Sequence, residues 1–144
     1  MLIERIVREK GSDVATIRAD APVSAAVAEL RRWNVGALVV TGESGPVEGI
    51  ISERDVVRAI ADDGLHALEQ TVGSIMSTDV VTCDRHATVE ELMRLMTDRR
   101  IRHVPIVEDG ALVGIVSIGD VVKNRLGELE TETRSLVDYI TAGR

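Results

Sequence analysis

Apolar positions along the chain follow two rhythms, one helical and one of short continuous runs. Behind Thr88-Val-Glu-Glu91, Val89, Leu92, Met93 and Met96 recur at helical spacing. That tetrapeptide reads as a capping box, in which threonine and glutamate satisfy each other's backbone N–H groups. Pro22, suited to a first helical position, opens a comparable helix through Val23, Val27 and Leu30. After each helix come two apolar runs joined by turn residues. Ala37 to Val40 is followed by Val47 to Ile51 across Gly42-Glu-Ser-Gly-Pro46, and Val104 to Val107 by Leu112 to Val116 across Glu108-Asp-Gly110. Both pairs predict hairpins. Closing helices are expected from Ser52 and Ser117, with Gly64 ending the first. Residues 1–13 and the segment 67–78, periodic in Leu68, Val72, Ile75 and Met76, read as entry helices.

These elements repeat. Val14-Ala-Thr16-Ile17 returns 66 positions later as Val80-Val-Thr82-Cys83. Gly49-Ile-Ile-Ser52-Glu-Arg-Asp55-Val-Val returns 65 positions later as Gly114-Ile-Val-Ser117-Ile-Gly-Asp120-Val-Val. Each copy reads strand, helix, strand, strand, helix. Neither has a way to cover its sheet alone, so the expected fold is α+β, with two β-α-β-β-α repeats joined in one pseudo-two-fold module. The expected units are residues 1–66, 67–126 and a helical extension over 127–144.

Composition removes several classes of function. The net charge of −7 repels phosphate backbones, and Trp33 and Tyr139, the only aromatics, give no stacking platform. No nucleic-acid partner is expected. No apolar run approaches the ~20 residues of a membrane-spanning helix, and Met1-Leu-Ile-Glu-Arg lacks a signal-peptide layout, so the expectation is a cytoplasmic protein with no membrane partner. Cys83, the single cysteine, excludes an internal disulfide. Cys83 with His86 lacks an orienting third group for catalysis, and His66, His86 and His103 have no metal-ligand spacing with it. Taken singly, Ser52-x-x-Asp55 and Ser117-x-x-Asp120 are plausible helix caps. Val122, Leu126, Leu129, Thr133, Leu136 and Ile140 alternate in steps of four and three, the spacing of a narrow helical seam.

The repeated Gly-Ile-Ile/Val-Ser-x-x-Asp-Val-Val, with Arg102-His103-Val104-Pro105-Ile106-Val107, resembles the two signature segments of cystathionine-β-synthase (CBS) domains, from about residue 1 to about residue 126. The resemblance implies two pseudo-symmetric clefts for AMP, ATP, other adenosine compounds or NAD. Asp55 and Asp120 would then accept from ribose hydroxyls, with Ser52 and Ser117 beside phosphate or ribose. Thr16 and Thr82, with their neighbours Ile17 and Cys83, would touch the nucleotide. Backbone at Ala37-Leu38 and at His103-Val104-Pro105 would read the adenine edge, while Arg54, Arg102 and His103 would face phosphate. Without aromatics, adenine is expected between Ile17, Ile51, Val116 and Ile118. Gly36-Ala37 standing opposite Arg102-His103 makes the clefts unequal.

The resulting expectation is a homodimeric regulatory protein that is not an enzyme. It would hold AMP or another adenine nucleotide as a regulatory ligand rather than a catalytic cofactor, and pass occupancy to an unknown protein partner. A scaffold without ligand is the alternative.

Overall fold

The computed structural model describes residues 2–11 and 13–143. In chain order the elements are α1 Ile3–Lys10, β1 Thr16–Arg18, α2 Val23–Trp33, β2 Ala37–Gly42, β3 Gly45–Ser52 and α3 Glu53–Asp63. A 3-10 turn Gly64–Glu69 and the one-turn α4 Val72–Ile75 lead into α5 Val89–Arg99, β4 His103–Glu108, β5 Ala111–Ser117 and α6 Ile118–Ala142. The mixed α+β architecture is the expected one. Pro22 is the N-cap of α2 rather than its first helical residue. The helix expected over 67–78 is divided, because the backbone at 70–72 pairs elsewhere: Val23 N–H donates to Gln70 O at 2.8 Å and Val72 N–H to Ala21 O at 2.8 Å.

In the first repeat β1 runs parallel to β2, which is antiparallel to β3. In the second, β4 and β5 form the same hairpin, but the strand expected at Val80–Cys83 shrinks to a single bridge between Cys83 and Ile106. Proline explains the loss. In the first repeat Val39 N–H donates to Ala15 O at 3.2 Å. The residue in Val39's place is Pro105, which has no N–H to give. What survives is Cys83 N–H to Pro105 O at 3.1 Å and Val107 N–H to Cys83 O at 2.8 Å.

The two hydrophobic cores do not respect the order of the repeats. Ile3 and Ile6 of α1 pack with Val89, Leu92, Met96, Val104 and Ile106 of the second repeat. Val72 of α4 packs with Ile17, Leu30, Leu38 and Ile51 of the first. The expected boundary between residues 66 and 67 therefore separates the repeats in sequence but not in packing. Each entry helix closes the core of the opposite repeat. The reason is geometric: α1 is anchored by Ile3 N–H to Ala87 O at 2.9 Å, just ahead of α5, and α4 is anchored in the matching place ahead of α2. On β2, Leu38 and Val40 enter the first core, while Ala37 and Val39 on the reverse face are equally buried. The reverse side is where the repeats meet, with β3 approaching β5.

This exchange makes a specific expectation for stability. Ile3 is wholly buried, so Ile3→Ala should cost about 2–5 kcal/mol, the range for a core truncation. Because Ile3 precedes the first repeat yet supports the second, urea unfolding of the variant should remain a single coincident transition by fluorescence of Trp33 and by circular dichroism. Two separated transitions would show that the repeats unfold independently.

Candidate functional site

The two Ser-x-x-Asp segments sit where β3 turns into α3 and β5 into α6. Both form complete capping boxes. Ser52 Oγ accepts from Asp55 N–H at 3.3 Å, and Asp55 Oδ2 accepts from Ser52 N–H at 2.8 Å and from the Ser52 hydroxyl at 3.0 Å. In the second repeat Ser117 Oγ accepts from Asp120 N–H at 3.1 Å and Asp120 Oδ2 accepts from Ser117 N–H at 2.8 Å. Capping thus engages only Oδ2 of each aspartate. Among the described residues no hydrogen bond reaches Oδ1 of Asp55 or Asp120. A ligand hydroxyl can be accepted there without dismantling the cap, so the capping and ligand-binding readings of these residues are compatible.

Hairpin register brings further residues alongside. Ala37 lies opposite Ser52, Leu38 opposite Ile51, His103 opposite Ser117 and Val104 opposite Val116. Thr16 and Thr82 are exposed at the ends of their segments, and Arg54 and Arg102 are exposed at the mouths of the two caps. Pro105 is buried and Ile118 is open to solvent. The expected aliphatic sandwich for adenine is not formed as drawn. Ile51 and Val116 are wholly buried in the two cores, and Ile17 is nearly so. The strand pleat causes this: alternate residues face opposite sides, and the register that leaves Ser52 and Ser117 half-buried at the strand ends turns Ile51 and Val116 inward.

The groups that converge include two the sequence pattern does not single out, Lys10 and Glu53. Lys10 Nζ donates to Asp120 Oδ2 at 2.7 Å and to Ile115 O at 2.8 Å. A β-carbon placed on Gly36 would lie 3.5 Å from the His103 ring and 4.0 Å from the Glu53 carboxylate carbon. Residues from both repeats therefore meet around His103. Lys10 was not legible because 110 positions separate it from Asp120 and it reads only as a basic residue at the end of a helix. A cavity of about 830 Å³ lies between α1 and α6, bordered by Arg5, Glu9, Lys10, Asp120 and Glu128. Of the expected ligand-contacting residues only Asp120 borders it.

Electrostatics set the charge state of this cluster. Burial pushes the Asp120 carboxyl upward, but the bonds from Lys10 and from Ser117 outweigh it and hold the group below the ordinary carboxylate range. His103 is pushed below the ordinary histidine value, first by burial and then by the charge of Lys10, with Arg102 adding and Asp120 and Glu53 opposing. Its imidazole is therefore neutral at neutral pH, and the fixed positive charge at Asp120 is that of Lys10. Burial, with Asp84 and Glu91, pushes the Cys83 thiol up, so the reactive thiolate is suppressed. Among the described residues no group of three or more His, Cys, Asp or Glu is arranged to hold a metal ion, and no helix is long and apolar enough to cross a membrane.

A histidine whose pKa is depressed on folding contributes stability that is complete above its unfolded value of roughly 6.5 and is lost as pH falls toward its folded value. Asp120 acts in the same direction at lower pH, since its folded pKa is also depressed. The melting temperature should accordingly decline as pH is lowered from 7 through the range just below 6.5. His103→Asn should flatten that part of the profile, and an unchanged slope in the variant would remove His103 as its source.

The comparisons with known proteins agree with this architecture. The CBS domain model matches residues 5–62 and 72–127. A mitochondrial CBS domain-containing protein of Arabidopsis thaliana, CBSX3, is 41% identical over 128 residues, 86% of this chain and 62% of that protein, so this chain spans less than two thirds of that relative's length. The crystal structure of the CBS-domain containing protein ATU1752 from Agrobacterium tumefaciens matches with a TM-score of 0.82 at 44% identity, covering 86% of this chain and 92% of that one. The CBS domain pair of protein MJ0100, crystallised with 5′-methylthioadenosine and S-adenosyl-L-methionine, matches with a TM-score of 0.79 at 26% identity, covering 89% and 98%. With both repeats matched and the same fold in the solved relatives, the chain belongs to the CBS domain family as a tandem pair.

Proposed function

We propose that this CBS pair is a regulatory sensor of adenine nucleotides that acts as a homodimer and passes occupancy to a protein partner, without catalysing a reaction. The observation that carries the reading is Oδ1 of each signature aspartate, a charged acceptor at the mouth of a helix N-terminus that no hydrogen bond among the described residues engages. A ribose offers two hydroxyl donors to such a carboxylate, and the unpaired N–H groups of the first helical turn favour an anion nearby. Adenosine compounds bound to the MJ0100 CBS pair support the same ligand class here. Thr16, Thr82 and the backbone at Ala37 and His103 are proposed to complete the two clefts. The suppressed thiol of Cys83 gives no support to a catalytic reading.

The dimer reading rests on α6. From Leu129 to Gly143 every residue is exposed. Glu128, Thr131 and Glu132 border the cavity shared with α1, whereas Leu126, Leu129, Thr133 and Val137 border a separate shallow groove of about 490 Å³. The apolar seam thus does not lie along the cavity that α6 shares with its own module. A second α6 fits it, because a parallel pairing sets the seam residues against themselves and brings Arg125 of one chain toward Glu130 of the other.

Two measurements test these readings. In a thermal-shift panel of AMP, ADP, ATP, NAD and S-adenosylmethionine, at least one ligand should raise the melting temperature, corresponding to about 2.7 kcal/mol at one hundred times Kd. Asp55→Ala and Asp120→Ala should each weaken binding at its cleft by about 1.5–3 kcal/mol, beyond a stability loss of about 1 kcal/mol from the cap. No shift with any ligand favours the scaffold. Truncation after Leu126 should weaken dimerisation in sedimentation experiments while leaving the pair folded, and equal dimer affinity would assign the contact to other helices.

A further inference from the structure

The two aspartate caps are related by the pseudo-dyad, yet one position beside them differs in chemistry. In the entry helices Val7 answers to Met76, since Val7 lies over Gly114 as Met76 lies over Gly49, and Lys10 stands one turn further on, where α1 continues beyond the length of α4. In the first repeat the linker backbone pairs with β3: Ser77 N–H donates to Ile50 O at 2.9 Å and Ile50 N–H to Ser77 O at 3.0 Å. Met76 packs over Gly49, where a β-carbon would fall 2.6 Å from its sulfur. At the matching place in the second repeat the described residues make no such backbone pairing. Gly11 N–H instead ends α1 on Val7 O, and the carbonyl of Ile115 is taken by the Lys10 ammonium.

That substitution has an electrostatic consequence. The Lys10 ammonium spends two of its three donors on Asp120 Oδ2 and Ile115 O, leaving one donor and its charge at the cleft. An unpaired carboxylate next to a ribose would repel a phosphate attached to that ribose. Lys10 cancels the repulsion while Oδ1 of Asp120 stays open. At Asp55 the partners of Oδ2 among the described residues are the Ser52 amide and hydroxyl, which are neutral.

We infer that Lys10 is a specificity-determining residue that makes the Asp120 cleft the one selecting adenosine ligands with an anionic 5′ substituent. The inference rests on the reading of Asp55 and Asp120 as ribose-binding groups. A purely structural Lys10–Asp120 pair would alter stability but not the choice between ligands, so the ratio of affinities is the readout.

The experiment is calorimetry of AMP and adenosine on the full chain carrying Asp55→Ala, which leaves the Asp120 cleft alone, with and without Lys10→Met or Lys10→Arg. The same series with Asp55 intact covers the case in which the Asp55 variant folds poorly. Lys10→Met should weaken AMP about tenfold or more while changing adenosine less than about threefold, and Lys10→Arg should keep most of the AMP preference. An unchanged AMP-to-adenosine ratio in Lys10→Met overturns the inference alone. So does a preference abolished by the Arg102→Ala, His103→Ala pair but untouched by Lys10→Met. Binding of neither ligand to the protein with Lys10 and Asp55 intact overturns the ribose-site reading and the inference together.

Discussion

The reciprocal exchange of entry helices is the constraint on which the rest of the molecule depends. A CBS repeat of this size has a small sheet with one helix-covered face, too little to bury a core by itself. Here Ile3 and Ile6 complete the second core and Val72 the first, so neither repeat is finished until the other is in place. The exchange also presses the reverse faces of the two sheets together, where Ala37 and Val39 are buried without belonging to either repeat's helix-covered core. The clefts are by-products of that arrangement. They lie where each capped helix leaves its strand and meets chain contributed by the other repeat, as Lys10 meets Asp120.

The capping boxes show how one short motif serves the fold and still leaves an acceptor over. A helix N-terminus requires acceptors for its first N–H groups, and the serine hydroxyl with one aspartate oxygen meets that need. The second oxygen remains because a carboxylate is larger than the cap requires. Thr88 and Glu91 make the same box at α5, where Leu2 bridges Thr88 and α1 docks through Ile3 N–H to Ala87 O. Capping chemistry alone therefore does not mark a site.

Much of the fold could be read from the sequence because its signals are local. The caps of α3, α5 and α6, the hairpin turns and the 66-residue offset all act over a few residues or by simple repetition. What escaped reading was long-range. Nothing local reveals that α1 packs on the second repeat, and so nothing placed Lys10 beside Asp120. The expected strand at Val80–Cys83 was lost to a missing donor on Pro105, a residue 22 positions or more downstream. The adenine sandwich went wrong for a related reason: periodicity identifies apolar strand residues but does not say which of two buried faces each will occupy.

Under the proposed function the placement of Asp120 would join ligand binding to assembly through one element. Asp120 lies in the first turn of α6, and the same helix continues without a break to Ala142, carrying the exposed seam some 20 residues further on. At 1.5 Å per residue that is about 30 Å of continuous helix. Lys10, at the C-terminal end of α1, lies at the other side of the same ion pair, and α1 begins inside the second core with Ile3 and Ile6. A ligand that altered the Lys10–Asp120 pair would act on both helices at a shared cavity. It could bias their relative packing only by binding one arrangement more tightly than another. In the proposed dimer the arrangement of α6 against a second chain would be the coordinate for that bias, because from Leu129 onward the module leaves the helix uncovered.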